Sequence, residues 1–454
     1  MRPDIQRWTE TLDCQSFTYG QPGYDRARRI YNTMIDRYPL AIVRCRDVGQ
    51  IQQCLSYARS NGLPLAIRAG GHSAAGFSVC DDGIVIDLSA MNGVDLDCGP
   101  GRIRVDAGAT WAQLDRATST RGLAVPGGTV SSTGVAGLTL GGGIGWLMGK
   151  YGLTCDSLLG AQVVTADGSL VTATEDNNPD LLWGLRGGGG NFGVVTSFDF
   201  RPHTVSTVLA GSLVFPLDRA VQTLLTLKDL AAQTPDELTV CPTFFTAPDG
   251  AKQLSVDVCY VGEDGAGERL LGRLAGLLKP AVNTVRRQSY LDWQAYLDPM
   301  FETPLRGFWK SCFLDLFELP TAELLVESYR LAPSRRSTLI LEHFHGRMTE
   351  VPATDSAYGN RDRPFSILIT ARWESAAEDE ANRAWARQLH SALSEYSDGG
   401  GYLNYMGEED RETVRMSYGD RQYQRLAELK QKYDPDNVFR RNQNVAPRAS
   451  RAVR

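Results

Sequence analysis

The sequence predicts an α+β fold in two parts: a glycine-rich half built from small α/β and β units, and a second half in which helices cover an antiparallel sheet. Three observations carry this expectation. From position 39 onward, β-prone apolar runs alternate with stretches of helical period. More than half of the 46 glycines fall between Gly70 and Gly193, so backbone there must approach something closely. Near His203 glycine thins out, and long helical patterns begin to alternate with strands.

The elements follow in chain order. LAIVRC, from Leu40, reads as a strand, and Asp47 is a natural N-cap for a helix whose apolar face is Ile51, Cys54, Leu55 and Ala58. LPLAIRAGGHS is then a strand that ends in a glycine turn. GIVIDLS, GVDLD, RIRVDAGA and LAVPGG are short β-rich runs, with the helix WAQLDRATSTRG before the last of them. AQVVTADGSLVTAT is a hairpin turning at Ala166-Asp167-Gly168. A capped helix, NNPDLLWGLRG, and the strand NFGVVTSFDF close this half. In the second half, DRAVQTLLTLKDLAAQ, ERLLGRLAGLLKP and EDEANRAWARQLHSAL read as helices, and SVDVCYVG, TLILEHFHG and FSILITARW as strands. The boundaries fall at 1–205, 206–400 and 401–454, with the last segment returning to the first half.

Composition narrows the function. The 454 residues carry 47 basic and 53 acidic side chains, net -6 and without blocks, so no nucleic acid or anionic membrane is expected as a partner. The start bears Arg2, Asp4 and Arg7 with no apolar run, and no window approaches eighteen apolar residues; the expectation is a cytoplasmic chain without a leader or a membrane span. Nine scattered cysteines, with no CxxC, read as mostly buried thiols. No metal site is expected: His343 and His345 share one strand face, but no third ligand is evident.

The glycines at 188, 190 and 193 form a GxGxxG whose context is wrong for a dinucleotide fold. Such a fingerprint follows a strand and opens a helix, whereas here a helix precedes and a strand follows. No P-loop is present.

More specific is the run IRAGGHSAAGFS from Ile67, followed by VPGGTVSSTGVAGLTLGGGIGWLMGKYGLTCDSL and by LLWGLRGGGGNFGVVTSFDF. With YLNY at 402–405, SYG at 417–419 and YDPDNVFRRNQNVAP at the end, it resembles the FAD-linked oxidases related to berberine bridge enzyme, within the vanillyl-alcohol oxidase and p-cresol methylhydroxylase superfamily. The resemblance implies a two-part FAD-binding domain of the p-cresol methylhydroxylase type, a substrate domain, and an oxidase that passes hydride to flavin and electrons to O2.

The resemblance also implies roles residue by residue. Loop 67–77 would hold the FAD pyrophosphate through Ala69, Gly70, Gly71 and Ser73, a backbone nest for anions, with Arg68 either a loop cation or a solvent-facing charge. His72 matches the histidine that bonds the flavin 8α carbon. Loops 126–145 and 186–193 would lay backbone against the cofactor through Gly128, Thr129, Thr133, Gly134, Gly137, Leu140, Gly141, Gly142, Gly143, Gly190, Gly193, Val194 and Val195. Thr133 falls near the position that controls oxygen access. Tyr402 and Asn404 would support the flavin, on the opposite face from Tyr405 if the segment is extended, and Asn442 and Asn444 would hold its ring. Many relatives have a second, cysteinyl link; the matching position here is Val130, so one covalent bond is expected, and Cys155 is not the missing partner.

Tyr405, His343 and His345 are the candidates for catalytic acid–base work. Ser366 stands where some relatives carry a catalytic glutamate, which speaks against a plant-alkaloid mechanism. Single-link bacterial relatives include 6-hydroxynicotine oxidase and antibiotic-pathway enzymes of secondary metabolism, so the expected substrate is a small aromatic, heterocyclic or natural-product molecule. Oxidation of a carbohydrate or alcohol, and a flavin-holding drug-binding protein without turnover, are the alternatives. The assembly is expected to be a monomer or homodimer.

Overall fold

The computed structural model describes residues 4–301, 303–315, 317–397, 399–409 and 411–448. The first unit is a four-stranded sheet of β1 (Gln15–Thr18), β2 (Ala41–Arg44), β3 (Leu65–Arg68) and β4 (Ile84–Asp87), in the order β1-β2-β4-β3. β2 and β3 lie parallel to β4, joined by the helix Val48–Ser60 that Asp47 caps through Gln50 N–H. The second unit is a five-stranded antiparallel sheet of β5 (Val94–Asp95), β6 (Ile103–Asp106), β8 (Leu158–Val164), β9 (Leu170–Thr174) and β10 (Val194–Phe200), ordered β5-β6-β10-β8-β9. Between β6 and β8, β7 (Leu123–Ala124) pairs with β11 (His203–Thr204).

The second half forms one large antiparallel sheet: β12 (Thr207–Pro216), β13 (Leu238–Thr246), β14 (Lys252–Tyr260), β15 (Val282–Asn283), β16 (Arg286–Ser289), β17 (Arg306–Leu314), β18 (Thr338–His343) and β19 (Phe365–Trp373). Helices Ala220–Ala231, Asp264–Leu278, Leu319–Arg330 and Asp379–Leu393 cover one face, burying Leu213, Leu254, Leu339, Leu341 and Ile369 beneath them. The opposite face meets the glycine-rich loop: Ile340, Leu368 and Cys241 pack with Trp146 and Leu147. Alternation along β18 therefore sends Leu339, Leu341 and His343 toward the helices, and Ile340 and Glu342 toward the other half.

Helix Asp420–Tyr433 and the chain after it pack on the first half, with Leu426, Leu429, Phe439 and Val445 in the same core as Phe192 and Trp183. Lys430 Nζ, fully buried, donates to Asp434 Oδ2, Asn191 O and Phe439 O, which ties the tail to the turn before β10.

Candidate active site

A cavity of about 340 Å3 lies between the two halves, lined on one side by residues 69–74, 128–141 and 189–195 and on the other by β13, β17, β18 and β19. β3 ends in Arg68, and the chain then turns through Gly70 and Gly71, the latter at φ 71°. Gly70 and Gly134 lie backbone to backbone: a Cβ on either would collide with the other, which is why both positions need glycine. Among the described residues, the amides of Gly70, Gly71, His72 and Ser73 donate to no protein group, so they remain free for an anion in the cavity.

Arg68 does not supply the cation for that anion. It is buried, with Nη2 donating to Asp87 Oδ2 at 2.7 Å and Nη1 to Ala27 O at 2.5 Å. Its guanidinium is spent on holding β3 to β4, and it does not line the cavity.

The glycine loops divide into two kinds. Gly137 and Gly190 have open space where a side chain would be, and with Gly128, Thr129, Thr133, Leu140, Gly141, Gly193 and Val195 they line the cavity. Gly142 and Gly143, expected against the cofactor, lie behind its wall at φ 118° and 91°, and their missing side chains make room for Tyr358 and Thr154. Val194 likewise turns into the core, and Asn444 is absent from the lining, whereas Asn442 lines the cavity and donates to Gly190 O.

The segment 402–405 is a helical turn, Leu403–Tyr405, rather than an extended strand, so Tyr402, Asn404 and Tyr405 all reach the cavity. Tyr402 Oη accepts from Gly143 N–H at 2.8 Å and from Asn404 Nδ2 at 2.7 Å, and Asn404 Nδ2 also donates to Leu138 O. The turn is thereby clamped to the glycine loop. Tyr405 packs edge-on against Tyr402 and donates its hydroxyl to Glu342 Oε1 at 2.6 Å.

Glu342 is the residue that sequence reasoning passed over. It is 5% exposed, and burial raises its carboxyl to about 7, with the Tyr405 hydrogen bond opposing that rise. Its Oε2 has no partner, and neither has the hydroxyl of Ser366, directly across the β18–β19 ladder. Tyr405 is held protonated, its pKa pushed well up by burial and by the Glu342 charge. The sequence signal for Glu342 was its opposite parity to His343 on β18.

The two histidines lie apart from this pair. His343 points to the helix-covered face, into a separate apolar pocket beside Leu224 and Leu274. His345 stacks on His343 at 4.7 Å and packs against Gly149. Neither lines the cavity, so the structure takes both out of acid–base chemistry there.

His72 does line the cavity. Its ring stacks on Tyr31 at 4.2 Å and 16°, and its Nε2 lies 3.0 Å from Ser132 Oγ. Burial, aided by the Arg372 charge, lowers its pKa to about 4, so the imidazole is neutral at pH 7. Val130 lines the same cavity, while Cys155 is buried outside it against Asp156. Cys241 is the one cysteine among the described lining residues; burial, together with Glu342 and Asp257, holds its thiol well above the ordinary range.

These features suit FAD: free amides for a diphosphate, side-chain-free backbone at Gly137 and Gly190 for a flat ring, and a neutral imidazole in the wall. Comparison with known proteins agrees. The FAD binding domain family matches residues 39–174, and the berberine and berberine-like family matches residues 401–446. The chain is 32% identical over 449 residues to (R)-6-hydroxynicotine oxidase of Paenarthrobacter nicotinovorans, covering 94% of this chain and 95% of that one. Among solved structures, 6-hydroxy-D-nicotine oxidase of Arthrobacter nicotinovorans superposes with a TM-score of 0.89 at 29% identity, over 96% of this chain and 99% of that one. A xylooligosaccharide oxidase of Myceliophthora thermophila follows at 0.88 and 25%, over 98% and 100%.

Proposed function

Because this chain belongs to the FAD-linked oxidoreductases that join an FAD binding domain to a berberine-like C-terminal segment, we propose that it is an oxidase of a small aromatic or heterocyclic amine or alcohol, with FAD joined covalently to His72 alone. FAD, held by the amides of residues 70–73 and the bare backbone at Gly137 and Gly190, would supply the hydride acceptor and the two-electron route to O2. The observation that carries the reading is the Glu342–Tyr405 pair on the wall facing the glycine loops.

Tyr405 Oη is placed to accept the proton of a substrate O–H or N–H while its own proton passes to Glu342 Oε1. Glu342 acts as acceptor when ionised, above about pH 7. Ser366, fully buried across the ladder from Glu342, does not line the cavity and backs the carboxyl from behind. Around them the wall is apolar, with Ile340, Leu368, Leu297, Phe301 and Trp309. Such a wall suits an aromatic ring bearing one polar group; a sugar would lose hydrogen bonds for most of its hydroxyls there.

What supports the link is a neutral imidazole at His72 in the wall, with Val130 unable to form a thioether and burial holding the Cys241 thiol protonated. The test is a panel of aromatic amines, aromatic alcohols and aldoses screened for peroxide release and, without oxygen, for bleaching of the flavin. Turnover of the aromatic compounds is expected. Turnover of aldoses alone would reverse the substrate assignment, and tight binding without peroxide would mark a sequestering protein.

A further inference from the structure

Three separated segments converge on His72. Tyr31 lays its ring on the imidazole, and is itself fixed by its N–H donating to Gly71 O at 3.1 Å and its hydroxyl donating to Phe301 O at 2.8 Å. Arg372, buried, donates to Met300 O and Thr303 O and stands over the Tyr31 and Phe301 rings, with no carboxylate partner among the described residues. From the third segment, Ser132 brings its hydroxyl to His72 Nε2.

Only Nε2 of the two ring nitrogens has a partner among the described residues. The contact allows either direction; with Nε2–H donating to Ser132 Oγ, the Nδ1 lone pair is free for attack.

Resting on the histidyl-link reading, we propose that Tyr31 and Ser132 are positioning residues for covalent attachment of the flavin: Tyr31 fixes the plane of the imidazole, and Ser132 holds its Nε2–H so that this proton passes by way of the exposed hydroxyl to solvent as Nδ1 forms the bond. A C–N bond forms between Nδ1 and the flavin ring-methyl carbon, one hydrogen leaving that carbon and one leaving the imidazole. The electron pair released reduces the flavin, and O2, as oxidant, takes up both electrons and both protons as hydrogen peroxide. The neutral state of the ring, kept by burial and by Arg372, serves the same step.

The test uses holoprotein purified at fixed short times after induction: wild type, His72→Ala, Ser132→Ala, Ser132→Thr, Tyr31→Ala and Tyr31→Phe. Total FAD per chain is measured together with the fraction that stays in the acid-precipitated pellet. Ser132→Ala and Tyr31→Ala should bind FAD fully yet attach it about tenfold more slowly. Ser132→Thr and Tyr31→Phe, which keep the hydroxyl and the stacked ring, should recover attachment to within about twofold. Attachment at the wild-type rate in both alanine variants would overturn the proposal while leaving the link intact. Release of all flavin from wild type would overturn the link reading itself. Should Tyr31→Ala fail to take up FAD, Ser132→Ala decides alone, because Ser132 is exposed and its loss opens no core.

Discussion

Replacing Glu342 with glutamine removes the titration but keeps the shape, and the structure sets the size of the effect. Burial moves the carboxyl from 4.5 to about 7, a differential of about 3 kcal/mol between its charged and neutral forms. Because the folded pKa lies above the unfolded one, the folded state binds the proton more tightly. The stability that Glu342 contributes is complete below about pH 4.5 and is lost as pH rises to about 7, beyond which it stays lost. Glu342→Gln lacks this loss. The stability of the variant minus that of wild type should thus be near zero at pH 4.5 and reach about 3 kcal/mol in favour of the variant at pH 8. The assay is isothermal unfolding of both holoproteins by urea, followed by tryptophan fluorescence across this range; the difference cancels the other titrating groups. A difference that does not change with pH would refute the claim that Glu342 is buried with a raised pKa, and with it the assignment of Glu342 as proton acceptor.

With whichever substrate the panel yields, kcat/KM should fall below about pH 7 in wild type, and that acid limb should vanish in Glu342→Gln along with about 10²-fold or more of the rate; Tyr405→Phe should lower kcat to a similar degree. Arg68→Ala should destabilise the protein by about 2–3 kcal/mol in thermal unfolding, because it leaves the buried Asp87 with only the longer Arg44 contact and the Ser89 N–H. His343→Ala, remote from the cavity, should leave kcat within about twofold of wild type. Gly70→Ala should abolish FAD retention, as measured by flavin absorbance per chain, because its Cβ drives the backbone away from Gly134.

What the sequence made legible was local. Residues 69–73 could be read as an anion-binding turn because strand, glycines and histidine are contiguous, and the α+β plan because each half keeps its own periodicity. What it hid depends on distant partners. Arg68 looked available for a phosphate because Asp87, its true partner, is 19 residues away on a parallel strand. Glycine runs look alike whether they face a cofactor or make room for a side chain, so Gly142 and Gly143 could not be told from Gly137 until Tyr358 and Thr154 were placed. The strand parity that puts the two histidines on one face was readable; which face the helices would cover was not. Glu342 gained its meaning only when a helical turn 63 residues on delivered Tyr405 to it.

The most direct test of the central claim is acid precipitation of the purified protein, followed by peptide mass spectrometry. The account predicts yellow flavin in the pellet, one FAD on the peptide that carries His72 and none on the peptide that carries Cys241, with all flavin in the supernatant for His72→Ala. Flavin in the supernatant of wild type, or a modified Cys241, would contradict it.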